Sequence, residues 1–181
     1  MFILTFAKII SSLLAIVGAT FLIPITVACV CGEYAVLPSF IIPMVISFVA
    51  LLAINIPSRK FKIHMSIKQT FFVVAAAWVC ISLMGALPLY FSGSFPTFTD
   101  SFFESVSGFS TTGSTVCEDI EALPRSINLW RCLSHWIGGM GVLVFILAIL
   151  PMGGGYGIHL LKAESTGPTV GKVESKLSDT A

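Results

Sequence analysis

Charge is what this sequence has least of. Lys, Arg, Asp and Glu make up 10% of its 181 residues, against roughly 25% in soluble globular domains. Hydrophobic residues make up 56%, and mean hydropathy is +0.97. So deep a shortage excludes an ordinary aqueous domain and places the chain in a bilayer. A net charge of +1 offers no basic surface for nucleic acid. Cysteine is sparse and unpatterned: Cys29, Cys31, Cys80, Cys117 and Cys132 are odd in number, and only Cys29-Val-Cys31 is closely spaced. A structural metal wants about four ligands, so the cysteines read as small apolar helix residues. A cleavable leader is not expected either. The apolar run after Lys8 continues from Ile9 to Val30, beyond the roughly 7–15 residues of a signal-peptide core. Thr26-Val-Ala-Cys29 resembles a lipoprotein cleavage box only faintly, and the run reads as a retained first helix.

What the chain does have is long apolar runs, and about 20 such residues cross the hydrocarbon core. Spans are expected at Ile9–Val30 (with Phe2 as an alternative entry), Ala35–Ile56 (with Pro43 as a kink), Thr70–Phe91 and Ile127–Leu150. The loop Ser58–Lys68 carries Arg59, Lys60, Lys62 and Lys68 and no acid, whereas Ser92–Arg125 carries Asp100, Glu104, Glu118, Asp119 and Glu121 against Arg125. Basic loops stay cytoplasmic. Four crossings put Lys8, the 58–68 loop and the tail bases Lys162, Lys172 and Lys176 inside and the acidic segment outside. The parity closes only if 92–125 dips into the membrane and returns.

That segment contains a short helix followed by hydroxyls. Thr97 or Thr99 can cap a helix running to Gly108, with Asp100 in the capping-box position after Thr97. Phe102, Phe103, Val106 and Phe109 would form its apolar face, and Gly108 suits a left-handed C-terminal position. Ten residues rise about 15 Å, half of the roughly 30 Å core. Entering from outside, the helix aims its negative dipole end at mid-membrane. The chain then continues as Ser110-Thr-Thr-Gly-Ser-Thr115. Gly113 permits a positive φ, and exposed carbonyl and hydroxyl oxygens are ligands for a desolvated cation. A Ser/Thr-Gly cluster alone is usually an ordinary turn. The half-length helix, the parity and the flanking spans favour a filter strand.

The stretch Asp100-Ser-Phe-Phe-Glu-Ser-Val-Ser-Gly-Phe-Ser-Thr-Thr-Gly-Ser-Thr115 resembles the first pore loop of the TrkH-type potassium-uptake subunits of the Trk/Ktr superfamily. Leu129-Trp-Arg-Cys-Leu-Ser-His-Trp-Ile-Gly-Gly-Met-Gly141, Ala148-Ile-Leu-Pro151 and Leu160-Leu-Lys-Ala-Glu164 extend the likeness. The resemblance implies an all-α integral membrane fold. Two leading transmembrane helices (1–57) and a basic cytoplasmic loop (58–68) would precede one helix–re-entrant pore loop–helix repeat (69–151) of a four-repeat, potassium-channel-like fold. A cytoplasmic connector or tail (152–181) would follow. It further implies potassium coordination by Thr111 and Thr112, with Gly113 and Ser114 continuing the filter. Glycine at position 113 goes with potassium preference. The implied function is passive or ion-coupled potassium uptake across a bacterial cytoplasmic (inner) membrane. No covalent cofactor is implied, and a cytoplasmic nucleotide-binding gating subunit is the implied partner.

Other residues admit plainer readings. Arg131, near the outer end of the fourth span, either pairs with Glu104 behind the filter or snorkels to headgroups. Gly138-Gly-Met-Gly141 could be called a phosphate loop, but without a preceding strand it reads as close helix packing against the pore loop. Gly153-Gly-Gly-Tyr-Gly157 reads as a helix break. His135 and His159 with Ser107 or Ser114 do not form a hydrolase pattern, for no nucleophile elbow is present. His135 reads instead as an interhelical hydrogen-bonder, and His64 as a solvated loop residue. There is one pore loop and no internal repeat, and one strand cannot surround an ion. The expectation is therefore a truncated or partial chain completed by another chain, or four copies forming a ring. The alternative is a non-conducting helix bundle that scaffolds partners, or an inactive fragment.

Overall fold

The computed structural model describes residues 2–57 and 67–149. Residues 58–66 of the expected basic loop (58–68), the break at Gly153–Gly157, His64, His159 and the connector 152–181 lie outside the described residues, whereas Ile67 and Lys68 of that loop already belong to a helix. The described segments are α1 (Phe2–Thr20), α2 (Leu22–Cys31), a single 3-10 turn (Tyr34–Val36), α3 (Leu37–Asn55), α4 (Ile67–Phe91), α5 (Phe98–Phe109) and α6 (Arg125–Ile149). Two compact units divide the chain, residues 1–140 and 141–181. All the packing and contacts that follow belong to the first.

Three stretches are long and apolar enough to cross a membrane: Phe2–Cys31, Tyr34–Asn55 and Lys68–Phe91. The first includes the expected Ile9–Val30, is entered from Phe2 and is broken at Phe21. Pro24 explains the break, because its ring excludes the carbonyl of Thr20 and it has no N–H to offer that carbonyl. Pro43, expected to kink the second span, sits buried inside a continuous α3. Pro38 occupies the first turn of the same helix, where the missing N–H leaves no bond unmade. At 25 residues, α6 matches the expected fourth span in position and length.

The ends of these helices sort into two groups. At one end, Phe2 and Phe6 pack on Phe72 with ring centroids 6.2 and 6.0 Å apart, and the Asn55 amide donates to the Ser11 hydroxyl at 3.3 Å. At the other, Glu33 reaches the start of α6, and Tyr90 meets Phe98 edge-on at 5.7 Å. Between them, Phe21, Phe40, Phe109 and Trp130 form a fully buried aromatic cluster. Trp130 stands edge-on to Phe21 at 4.6 Å and to Phe109 at 6.1 Å, and its indole N–H donates to the Gly85 carbonyl at 2.9 Å. One side chain thus joins the leading hairpin, α4, α5 and α6.

Much of the remaining interior is small and polar. Nine serines are buried among the described residues. Gly18 and Ser47 abut across α1 and α3, as Gly85 abuts Phe109 and Ser105 across α4 and α5. Apolar side chains gain little by leaving lipid for protein, so small residues that let backbones approach take over the interfaces. Large apolar residues such as Ile42, Val49 and Phe72 face outward.

A candidate cation-filter strand

α5 descends along α4 from its outer end. Phe98 lies beside Tyr90, Ser105 donates to the Ser82 carbonyl at 2.7 Å, and Phe109 packs against Gly85. The helix has 12 residues, about 18 Å, so it reaches only part-way through a roughly 30 Å core. The chain then climbs back. Ser114 lies beside Ser107, and Thr115 and Val116 lie beside Glu104. The chain thus doubles back along α5.

Thr97 caps α5. Its hydroxyl oxygen accepts from the Asp100 amide at 3.1 Å and donates to the Asp100 carboxylate at 2.6 Å. The buried face differs from the expected one. Ser101, Glu104, Ser105, Ser107, Gly108 and Phe109 turn inward, while Phe103 and Val106 are exposed. Of the four residues expected as the apolar face, Phe109 alone is fully buried. Gly108 does not take the expected left-handed conformation either. It is helical, and a β-carbon there would collide with the Ser134 hydroxyl. The left-handed residue beyond the helix is Thr111 (φ +58°), followed two residues on by Gly113 (φ +79°).

The loop is fastened from behind. The Ser107 carbonyl accepts from the Thr112 amide at 3.0 Å, and the Ser107 hydroxyl donates to the Ser114 carbonyl at 2.5 Å. One oxygen of Glu104 accepts from the Thr115 hydroxyl (3.0 Å) and the Val116 amide (3.2 Å). The other accepts from Arg131 Nε at 2.6 Å and is ion-paired with Nη2. Arg131 also donates to Asn128 Oδ1 and to the Thr115 hydroxyl, at 3.1 and 3.2 Å. Arg131 therefore pairs with Glu104 and does not snorkel.

In front of this brace, Thr111 to Val116 are all exposed. The Thr111 hydroxyl donates to the Ser110 carbonyl at 2.7 Å, and the Thr112 and Ser110 hydroxyls share a bond of 2.7 Å. Among the described residues no hydrogen bond reaches the carbonyls of Thr111, Thr112 or Gly113. The Ser114 carbonyl has one of its two lone pairs engaged. Carbonyl oxygens left open in this way are of the hard-ligand type that can replace water around a desolvated cation.

Gly138 and Gly139 of α6 pack against the pore-loop segment as expected. A β-carbon on Gly138 would overlap the backbone of Phe109, and Gly139 lies over the Thr111 methyl. His135 differs, for its bond is within its own helix, Nδ1 to the Arg131 carbonyl at 2.9 Å. Since a carbonyl only accepts, Nδ1 carries the proton. Ser107 donates to the Ser114 carbonyl, not to a histidine.

Two structural residues escaped the sequence reading. Trp130 lay inside a quoted motif, and a tryptophan in a helix interface needs a partner for its N–H. Glu33 is the single acid before Asp100. Its carboxylate accepts from the Arg125 amide (2.7 Å), the Ser126 amide (3.1 Å) and the Ser126 hydroxyl (2.5 Å). Burial pushes its carboxyl up, but the Ser126 hydroxyl, the two amides and the Arg125 charge together bring it below the usual carboxylate range. A lone acid in so apolar a stretch, and a proline before α6 that offers no side-chain cap, were the available signals.

The family model of the TrkH cation transport proteins matches residues 37–180. The chain belongs to this family. The Trk system potassium uptake protein TrkH of Escherichia coli (strain K12) is 41% identical over 128 residues, 69% of this chain and 26% of that protein. The protein of the same name from Vibrio parahaemolyticus is 34% identical over 181 residues, 96% of this chain and 36% of that protein. A crystal structure of the potassium transporter TrkH from Vibrio parahaemolyticus matches with a TM-score of 0.77 at 32% identity, over 85% of this chain and 33% of that one. The chain thus spans about a quarter to a third of the length of these TrkH relatives.

Proposed function

We propose that this chain supplies one strand of the selectivity filter of a potassium-uptake pore, as a multi-pass subunit of the bacterial cytoplasmic membrane. The observation that carries this reading is the row of open carbonyls at Thr111, Thr112 and Gly113, held in front of the Glu104–Arg131–Thr115 brace. Potassium replaces its hydration shell with such oxygens. Ser114 continues the strand, and Gly113 favours potassium over sodium by family resemblance. One strand cannot enclose an ion, so three more complete the ring, from the same polypeptide, from other chains or from further copies. The relatives' names as potassium uptake proteins support the choice of ion. A cytoplasmic nucleotide-binding gating subunit is the partner class the resemblance implies.

The test is potassium-limited growth of a strain lacking potassium uptake. The chain is expressed alone and together with the part of the Vibrio parahaemolyticus relative that it does not cover. Rescue in either arm, abolished by Gly113→Asp, is the expected result. Rescue indifferent to Gly113→Asp, or none in either arm, overturns the proposal.

A further inference from the structure

The first four N–H groups of a helix have no partner within it. α6 starts directly after Pro124, which offers no side-chain acceptor, yet its first two amides are satisfied. Glu33, 92 and 93 residues earlier, takes Arg125 N–H on one oxygen and Ser126 N–H and O–H on the other. A carboxylate is also the charge that the positive end of the helix dipole favours. The contact links the leading hairpin, outside the helix–loop–helix unit, to the helix that braces the filter strand. We propose that Glu33 is a positioning residue: its carboxylate caps α6 and thereby sets the height at which Arg131 holds Glu104 and Thr115.

The path between cap and brace is packed. Six residues, about 9 Å of helix, separate Arg125 from Arg131. Ile127 and Trp130 between them are buried, with Trp130 locked to Phe21, Phe109 and Gly85. Interiors this dense transmit displacement, so α6 cannot shift along its axis without moving Arg131. The cap also carries a pH signature. The charged side chain acting on Glu33 is Arg125, and with the three hydrogen bonds it holds the carboxyl below the ordinary range. The cap therefore contributes fully above roughly pH 4.3, the ordinary glutamate value. It is lost as pH falls through the lower folded value.

The filter reading enters only at the last step, and the test separates the two. In the full chain purified in detergent, hydrogen-exchange protection of the Arg125 and Ser126 amides is followed from pH 7 to pH 3. Wild-type protection should fall about 5- to 30-fold in acid, the size of a one- to two-kcal/mol cap. Glu33→Gln should show the low value at every pH, and Glu33→Asp should keep part of the acid-dependent protection. With Cys117 as the only cysteine, maleimide labelling beyond the filter strand should quicken several-fold in Glu33→Gln at pH 7. Wild-type protection in Glu33→Gln overturns the cap. Lost protection with Cys117 labelling unchanged overturns positioning. Neither readout needs a bound ion, so a failed growth rescue would leave both standing.

Discussion

A methyl group on Gly138 would overlap the carbonyl of Phe109, and backbone has nowhere to swing. The same methyl on Gly108 meets first the Ser134 hydroxyl, which can leave for another rotamer. Gly138→Ala should therefore destabilise by about 1–3 kcal/mol, the range for overpacking, and Gly108→Ala by less. Thermal unfolding in detergent decides the order, and a reversed order would sink this packing account. Thr111 poses the opposite case, a β-branched residue at φ +58°, where a side chain costs about 1–2 kcal/mol. Its amide bond to the Gly108 carbonyl (2.9 Å) and its hydroxyl bond to the Ser110 carbonyl (2.7 Å) hold it there. Thr111→Gly exchanges relieved strain for a more flexible unfolded chain, so its stability should stay within about 1 kcal/mol of wild type. Thr111→Val keeps the strain and loses the hydroxyl bond, and in the same unfolding assay it should be the less stable. Sequence marks a position as glycine without saying why. Gly108 and Gly138 are glycine for close approach and Gly113 for its φ, and that ambiguity led to a left-handed Gly108 where the chain uses Thr111.

At the scale of the element, α5 was legible in length and cap but not in facing. Thr97-x-x-Asp100 marks its start, and its shortness already says it cannot cross. Its buried side was misassigned because amphipathic reasoning assumes water outside. Here Ser105 and Gly108 admit α4 and α6 closely while Phe103 stays outside. Glu104 belongs to that inward side, and the side chains of Glu104 and Arg131 are only 2% and 11% exposed. Removing one partner of so buried a pair leaves an uncompensated charge, at about 3–5 kcal/mol. Glu104→Gln and Arg131→Met should each fall near that range, and the double substitution should cost clearly less than their sum. Additive losses in denaturant unfolding would mean that the two side chains touch without depending on each other.

Across the whole molecule, the sidedness read from charge has a geometric counterpart. Basic residues assigned Lys8 to one face and the acidic 92–125 segment to the other. Independently, Glu33 meets Arg125 and Ser126 at one end of the helices, while Asn55 meets Ser11 at the opposite end. The break at Phe21 and the Trp130 junction were less legible, because they arise from Pro24 acting on a distant-looking carbonyl and from a contact 45 residues apart in sequence. The arrangement predicts a labelling pattern in intact cells. In single-cysteine backgrounds, Cys31 and Cys117 should both react with a membrane-impermeant maleimide applied outside, Cys31 being exposed and Cys117 half-buried. A Lys8→Cys variant in an otherwise cysteine-free chain should react only after permeabilisation. Labelling of Cys31 and Cys117 from opposite faces would break the Glu33–α6 contact as well as the parity. Outside labelling at position 8 would invert the chain, and with it the claim that α5 enters from the acidic side.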